Sequence, residues 1–216
     1  MLVETLLIMG VLMLVAVGQS VYFNETAPFF RAFDSHTKHE WVNRITASLV
    51  EIGIIGFGLA SGPISTWAHA LGTAYFLHDT AHMLLYESEF SPYIHHVVAF
   101  AVLLLMKYAM SPAQNTVAIQ AVIALEATSP VLHTTWLLNK AGYRDYPFFK
   151  YLMGGAAAFF GVMRVGVLPW LMHSRMDLST AAVFAPILGL NIFWFWKLIK
   201  MLRKALRPKT DQQSKE

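Results

Sequence analysis

No cysteine occurs in the 216 residues. That absence removes disulfides, thiolate metal sites and cysteine nucleophiles from consideration. Charge is also scarce: Asp, Glu, Lys and Arg make up 13% of the chain, against about 25% in an ordinary soluble domain. There is no repeat and no low-complexity tract, and only KTDQQSKE at the C-terminus reads as disordered. The first apolar run has Glu4 and no Lys or Arg in its n-region, so it reads as a retained helix and not as a secretory signal. The formal charge of +3 does not indicate a nucleic-acid partner, because seven of the sixteen Lys and Arg residues follow position 196 and the basicity belongs to a tail.

What is present is hydrophobic, at 56% of residues. A membrane-spanning helix needs about 20 predominantly apolar residues, and seven runs qualify, near 2–23, 42–62, 66–86, 93–111, 115–139, 148–172 and 180–205. The expected fold is therefore an all-α polytopic membrane protein with about seven transmembrane helices. Turn residues in SGPIS, ESEFSP and MSPAQN mark short connections between spans. With seven spans the termini lie on opposite sides. If the C-terminus is cytosolic, Arg31, Lys38, Lys140, Arg144, Lys150 and the seven basic residues from Lys197 to Lys215 share that side. Only Lys107 and Arg175 then face the other. This asymmetry satisfies the positive-inside rule.

Ionisable residues inside these runs need a reason, since a charge at mid-bilayer costs at least about 2.5–3.5 kcal/mol on insertion scales. His78, Asp79 and His82 fall in the last two turns of the third span, and His95 and His96 open the fourth directly after the ESEFSP turn. The two groups should share one depth. Glu126, Ser129 and His133 recur at i, i+3 and i+7, on one helical face. Pro130 has no N–H for the carbonyl of Glu126, so a bend is expected there. Glu51, Arg44, Arg164 and Asn191 add polar atoms to other spans.

Structural roles compete with chemical ones. His78 and His82 suit hydrogen bonding between helices, His95-His96 suit the headgroup zone, and Glu126 suits an ion pair with Arg164. His69 and His133 read as packing or interfacial residues, and His36, His39 and His173 fall outside the core. The six tryptophans lie near span ends and read mostly as interfacial anchors. Chemically, HDTAH has the H-x3-H spacing that puts two imidazoles on one helix face, but the chain lacks the H-x2-H-H box of di-iron lipid desaturases. A zinc-dependent intramembrane amidase and a metal-free site using imidazole as nucleophile or general base both stay open.

The ordered segments EWVNRITAS (Glu40 to Ser48), YFLHD (Tyr75 to Asp79), YIHHVV (Tyr93 to Val98), LEATSPVLHTTWLL (Leu125 to Leu138), MRVGVLPWL (Met163 to Leu171) and LNIFWFWKLI (Leu190 to Ile199) resemble the TLC domain. That family includes ceramide synthases, the translocon-associated TRAM proteins and small TLC-domain proteins linked to membrane lipid composition. The resemblance implies a domain over residues 38–207, with six helices forming a barrel around a lipid tunnel. Residues 1–37 would then be an N-terminal helix and loop, and 208–216 a disordered basic cytosolic tail.

The resemblance further implies acyl transfer from acyl-CoA to a lipid amine or hydroxyl. Its catalytic candidates are His95, His96, Asp79 and Glu126, with a polar core of Arg44, His78, His82, Ser129, Arg164 and Asn191. No metal and no resident cofactor are implied, and acyl-CoA is the co-substrate. Membrane lipids are the partners, a homo-oligomer is allowed, and the family places the chain in the endoplasmic reticulum or another endomembrane. Where ceramide synthases carry a second His-Asp and further carboxylates, the stretch Ile123 to Glu126 offers only Glu126. The chain thus resembles the small TLC-domain branch, for which non-enzymatic lipid binding or cargo escort is the alternative function. Neighbouring helical positions point about 100° apart, so one imidazole of His95-His96 should face the interior while the other meets the adjacent span.

Overall fold

The seven apolar runs fold as helices, and every regular element among the described residues is helical. The computed structural model describes residues 2–61, 66–86 and 90–206, so the SGPIS and ESEFSP turns and the KTDQQSKE tail lie wholly or partly outside the described residues. The order is α1 (Leu2–Thr26), α2 (Pro28–Arg31), α3 (Ser35–Ser61), α4 (Thr66–Tyr86), α5 (Phe90–Tyr108), α6 (Pro112–Glu126), α7 (Ser129–Lys140), α8 (Pro147–Phe160), α9 (Leu168–Ser174) and α10 (Leu178–Leu206). A 3-10 turn (Tyr143–Asp145) precedes α8, and a π-helical segment (Gly161–Val167) joins α8 to α9. Four stretches are long and apolar enough to cross a membrane: Glu4–Thr26, Pro112–Lys140, Pro147–Ser174 and Leu178–Leu206. Tyr93–Tyr108 is a shorter apolar helix. The chain is a polytopic all-α membrane protein.

Six spans close a ring. α3 packs on α4, α4 on α5, α5 on α10, α10 on α8, α8 on α7, and α7 returns to α3. α1 packs outside the ring on α3 and α4, tied to α3 by a hydrogen bond from Thr46 Oγ1 to Gln19 Oε1 (3.2 Å). Its remaining face exposes Leu6, Leu7, Val11, Leu14, Val17 and Val21. An apolar face of that kind suits lipid.

One end of the ring is filled by α6. Val117, Ala118, Ala121 and Leu125 of α6 pack with Val102 and Met106 of α5, Leu168 and Leu171 of α9, and Phe184 and Ile187 of α10. Small side chains let these backbones approach closely where apolar burial gains little from a lipid surround. Ser111 caps α6 with a capping box: its Oγ accepts from Gln114 N while Gln114 Oε1 accepts from Ser111 N. Gln114 Nε2 also donates to Asp177 Oδ2 (2.6 Å), joining the starts of α6 and α10. Asp177 is held well below the usual carboxylate range by the Thr180 backbone N–H, then by Ser179 and Gln114.

Two irregularities shape the interior. The fifth span breaks between Glu126 and Ser129, where Pro130 stands in the first turn of α7, as its missing N–H requires. In the sixth span, Pro169 cannot donate to the carbonyl of Val165, and the wider π turns lie there, with Arg164 at their centre. A Cβ on Gly161 would stand 2.9 Å from the Phe195 ring, so glycine sets the approach of this segment to α10.

Candidate functional site

The other end of the ring holds a cavity of about 460 Å³. His36, Glu40, His82, Lys197 and Met201 line it toward the ends of α3, α4 and α10, and Glu51, Glu126, Ser129 and Arg164 line its inner part. Among the described residues, none of α1 lines it. Ionisable groups that would be costly in lipid are thus collected around one internal space.

Asp79 and His96 meet across α4 and α5, with Nε2 2.9 Å from Asp79 Oδ2. The equal depth inferred from the short turn is realised in this contact. Asn43 of α3 donates from Nδ2 to Asp79 Oδ1 at 2.6 Å, which fixes the amide orientation and leaves Asn43 Oδ1 buried without a partner. On the other side of the ring, His96 Nδ1 lies 3.3 Å from Thr80 Oγ1, whose hydroxyl donates to Phe76 O (2.6 Å). Both nitrogens of His96 are therefore engaged.

His95 differs. Its ring makes no hydrogen bond with the described residues, and its buried Nδ1 has no partner. It lines the cavity between the edges of Trp194, at a centroid distance of 5.2 Å, and His96, at 5.6 Å. The two neighbours divide as the 100° spacing requires: His96 is bound to the adjacent span, and His95 is left with chemical freedom.

Arg164 is 5% exposed and donates to three neutral oxygens, Thr128 Oγ1 (2.6 Å), Ser129 Oγ (2.6 Å) and Asn191 Oδ1 (3.1 Å). Its guanidinium also lies 5.0 Å from the Phe160 ring centroid. Among the described residues it touches no carboxylate within 4 Å, so the ion pair considered for Glu126 does not form. The Glu126 carboxyl stays in the cavity wall without a hydrogen bond to any described residue. Arg44 is held differently, by Glu40 one turn earlier (3.2 Å) and by the Trp136 ring (4.4 Å).

The structure gathers Arg44, Asp79, His82, His95, His96, Glu126, Ser129 and Arg164 around the cavity. Asn191 is fully buried behind it and supports Arg164. His78 stands half-buried outside the lining, its Nδ1 without a partner. Among the described residues no three His, Asp or Glu side chains gather closely enough to share one metal ion.

Several residues depart from their sequence readings. His133, expected to pack or sit at the interface, lines the cavity, with Nδ1 3.1 Å from Ser48 Oγ and 3.6 Å from Glu51 Oε2. His36 is exposed, as expected of a residue outside the core, yet it also lines the cavity, because Asp34 caps α3 through Thr37 N (2.8 Å) and starts that helix well before residue 42. Trp194 lines the cavity and Trp41 is buried among Phe23, Phe29, Phe30 and Phe33, whereas Trp170 and Trp196 are exposed as anchors would be. His69 packs as expected, its Nε2 on Leu103 O at 2.7 Å. Asn43 was missed, and Glu51 was read as a polar atom of its span without a place in the site. Their spacing with Ala47, at i, i+4 and i+8, is the helical-face signal that finds them.

The TLC domain family model matches residues 7–200. No curated protein matches the chain.

Proposed function

The chain belongs to the TLC-domain family, and on that premise we propose that it transfers a fatty acyl chain from acyl-CoA to a membrane lipid amine or hydroxyl. The observation that carries this reading is the division of labour at His95 and His96. An acyl-accepting imidazole needs a lone pair not committed to another bond and a surrounding that keeps bulk water away. The unpartnered, buried Nδ1 of His95 and its place between Trp194 and His96 support this role, while His96 bound to Asp79 is suited to orient its neighbour and exchange protons. The Asn43 amide fixes Asp79 in turn. The positive-inside pattern supports a cavity mouth on the cytosolic side, where acyl-CoA would arrive, in the endoplasmic reticulum or another endomembrane.

Lipid binding without chemistry is the second reading. The Glu126 carboxyl, which no described residue hydrogen-bonds, and the unpartnered Glu51 Oε2 favour it, as cavity-wall oxygens that a bound headgroup would satisfy. Untargeted lipidomics of cells with and without the protein separates the two. Acyl transfer predicts an acylated lipid class that rises with the wild type and not with His95→Ala. Equal profiles for wild type and His95→Ala would support binding alone.

A further inference from the structure

The cavity wall carries a second imidazole–carboxylate pair that the proposed use of His95 and His96 leaves idle. Glu51 of α3 is 2% exposed, and its Oε2 is buried, lies 3.6 Å from His133 Nδ1 and makes no hydrogen bond. Ser48, also on α3, donates its hydroxyl to Arg44 O at 2.8 Å. With that proton committed, Ser48 Oγ meets His133 Nδ1 as an acceptor, at 3.1 Å. This arrangement favours the tautomer in which Nδ1 carries the proton and Nε2 keeps the lone pair. A carboxylate beside the protonated nitrogen stabilises the imidazolium that forms when the other nitrogen takes a proton. The 3.6 Å separation is too long for a hydrogen bond in this state, though such contacts often tighten once substrate is bound.

The pair is placed away from His96 and Asp79. It sits on the α3 and α7 side of the ring, and Glu51 lies eight residues, about 12 Å of helix, beyond Asn43, which binds Asp79. We propose that His133, oriented by Ser48 and backed by Glu51, is the general base for the second half of the reaction. This inference rests on the acyl-transfer reading.

The steps balance. In the first, a His95 nitrogen bonds to the thioester carbon, the C–S bond breaks, and the CoA thiolate takes a proton from water. In the second, the acceptor amine or hydroxyl bonds to that carbon while His133 Nε2 takes its proton. The bond from carbon to His95 breaks with its electron pair returning to the imidazole, and His133 releases its proton to water.

The test separates loading from discharge. Purified protein is incubated with radiolabelled palmitoyl-CoA, the protein-bound acyl group is measured, and its discharge is followed in vesicles of total membrane lipid and, separately, with hydroxylamine, a nucleophile that needs no base. For His133→Ala the expected result is retained loading, discharge into lipid slower by roughly 100-fold or more, and discharge to hydroxylamine at the wild-type rate. Glu51→Gln, nearly isosteric, should slow lipid discharge in the same direction by less. Lipid discharge at the wild-type rate in both variants would overturn this inference alone, as would equal slowing toward hydroxylamine, which marks a structural role. No acyl group on the wild type would overturn the acyl-transfer reading and this inference with it.

Discussion

At the residue scale, the outcome depends on which polar atoms have partners. Arg164 has its donors on Thr128, Ser129 and Asn191, so Arg164→Ala would leave two buried oxygens and the half-buried Ser129 Oγ without this donor. Each unsatisfied group costs about 1–3 kcal/mol. A thermal unfolding assay in detergent should therefore show a large fall in midpoint, and an unchanged midpoint would mean that water or a ligand replaces the guanidinium without loss. Asp79→Asn should leave the fold intact, because Asn43 and His96 keep a hydrogen-bonding neighbour, while slowing acyl loading by roughly 100-fold. Single-turnover loading with acyl-CoA measures this, and wild-type loading would remove Asp79 from the site. Part of this chemistry was legible in the sequence. YFLHD and YIHHVV flank a short turn, and that alone brings Asp79 to His96. The common face of Glu126, Ser129 and His133 was legible too, whereas the α3 partners of His133 and the reach of His36 to the cavity were not: the first depend on how far the Pro130 break turns α7, and the second on where Asp34 starts α3.

At the element scale, the helices of the seven apolar runs followed from run length, four stretches among them long and apolar enough to span a membrane, and their pairing into a ring did not. Run length reports transfer into lipid, whereas neighbours are chosen by shape. Gly161 shows the difference. An alanine Cβ there would stand 2.9 Å from the Phe195 ring, which stacks on Phe160 at 6.2 Å, so Gly161→Ala must displace packed aromatics. Overpacking of this kind costs about 1–3 kcal/mol. Gly154, in α8, has nothing within 4 Å of its added Cβ, and Gly154→Ala should be neutral or slightly stabilising. Unfolding midpoints of the two variants check the contrast, and equal midpoints would contradict the close approach of the π segment to α10. The proline positions anticipated the Glu126 bend, whereas the π segment around Arg164 carries only Pro169 as its signal.

At the scale of the whole molecule, the ring is filled at one end by α6 and holds its cavity at the other. The sequon Asn24-Glu25-Thr26 lies at the C-terminal end of α1, with Asn24 exposed. In the orientation proposed from the charge pattern that end would face the cytosol, where oligosaccharyl transfer does not occur. Asn24 should stay unmodified, and an endoglycosidase-sensitive glycan there would invert the orientation. The central claim is that His95 carries the acyl group and His96 supports it. Intact mass spectrometry of the purified protein after incubation with long-chain acyl-CoA tests this most directly. The account predicts one acyl-sized adduct on the wild type, none on His95→Ala, and a reduced but present adduct on His96→Ala; an adduct that persists in His95→Ala, or no adduct on the wild type, would contradict it.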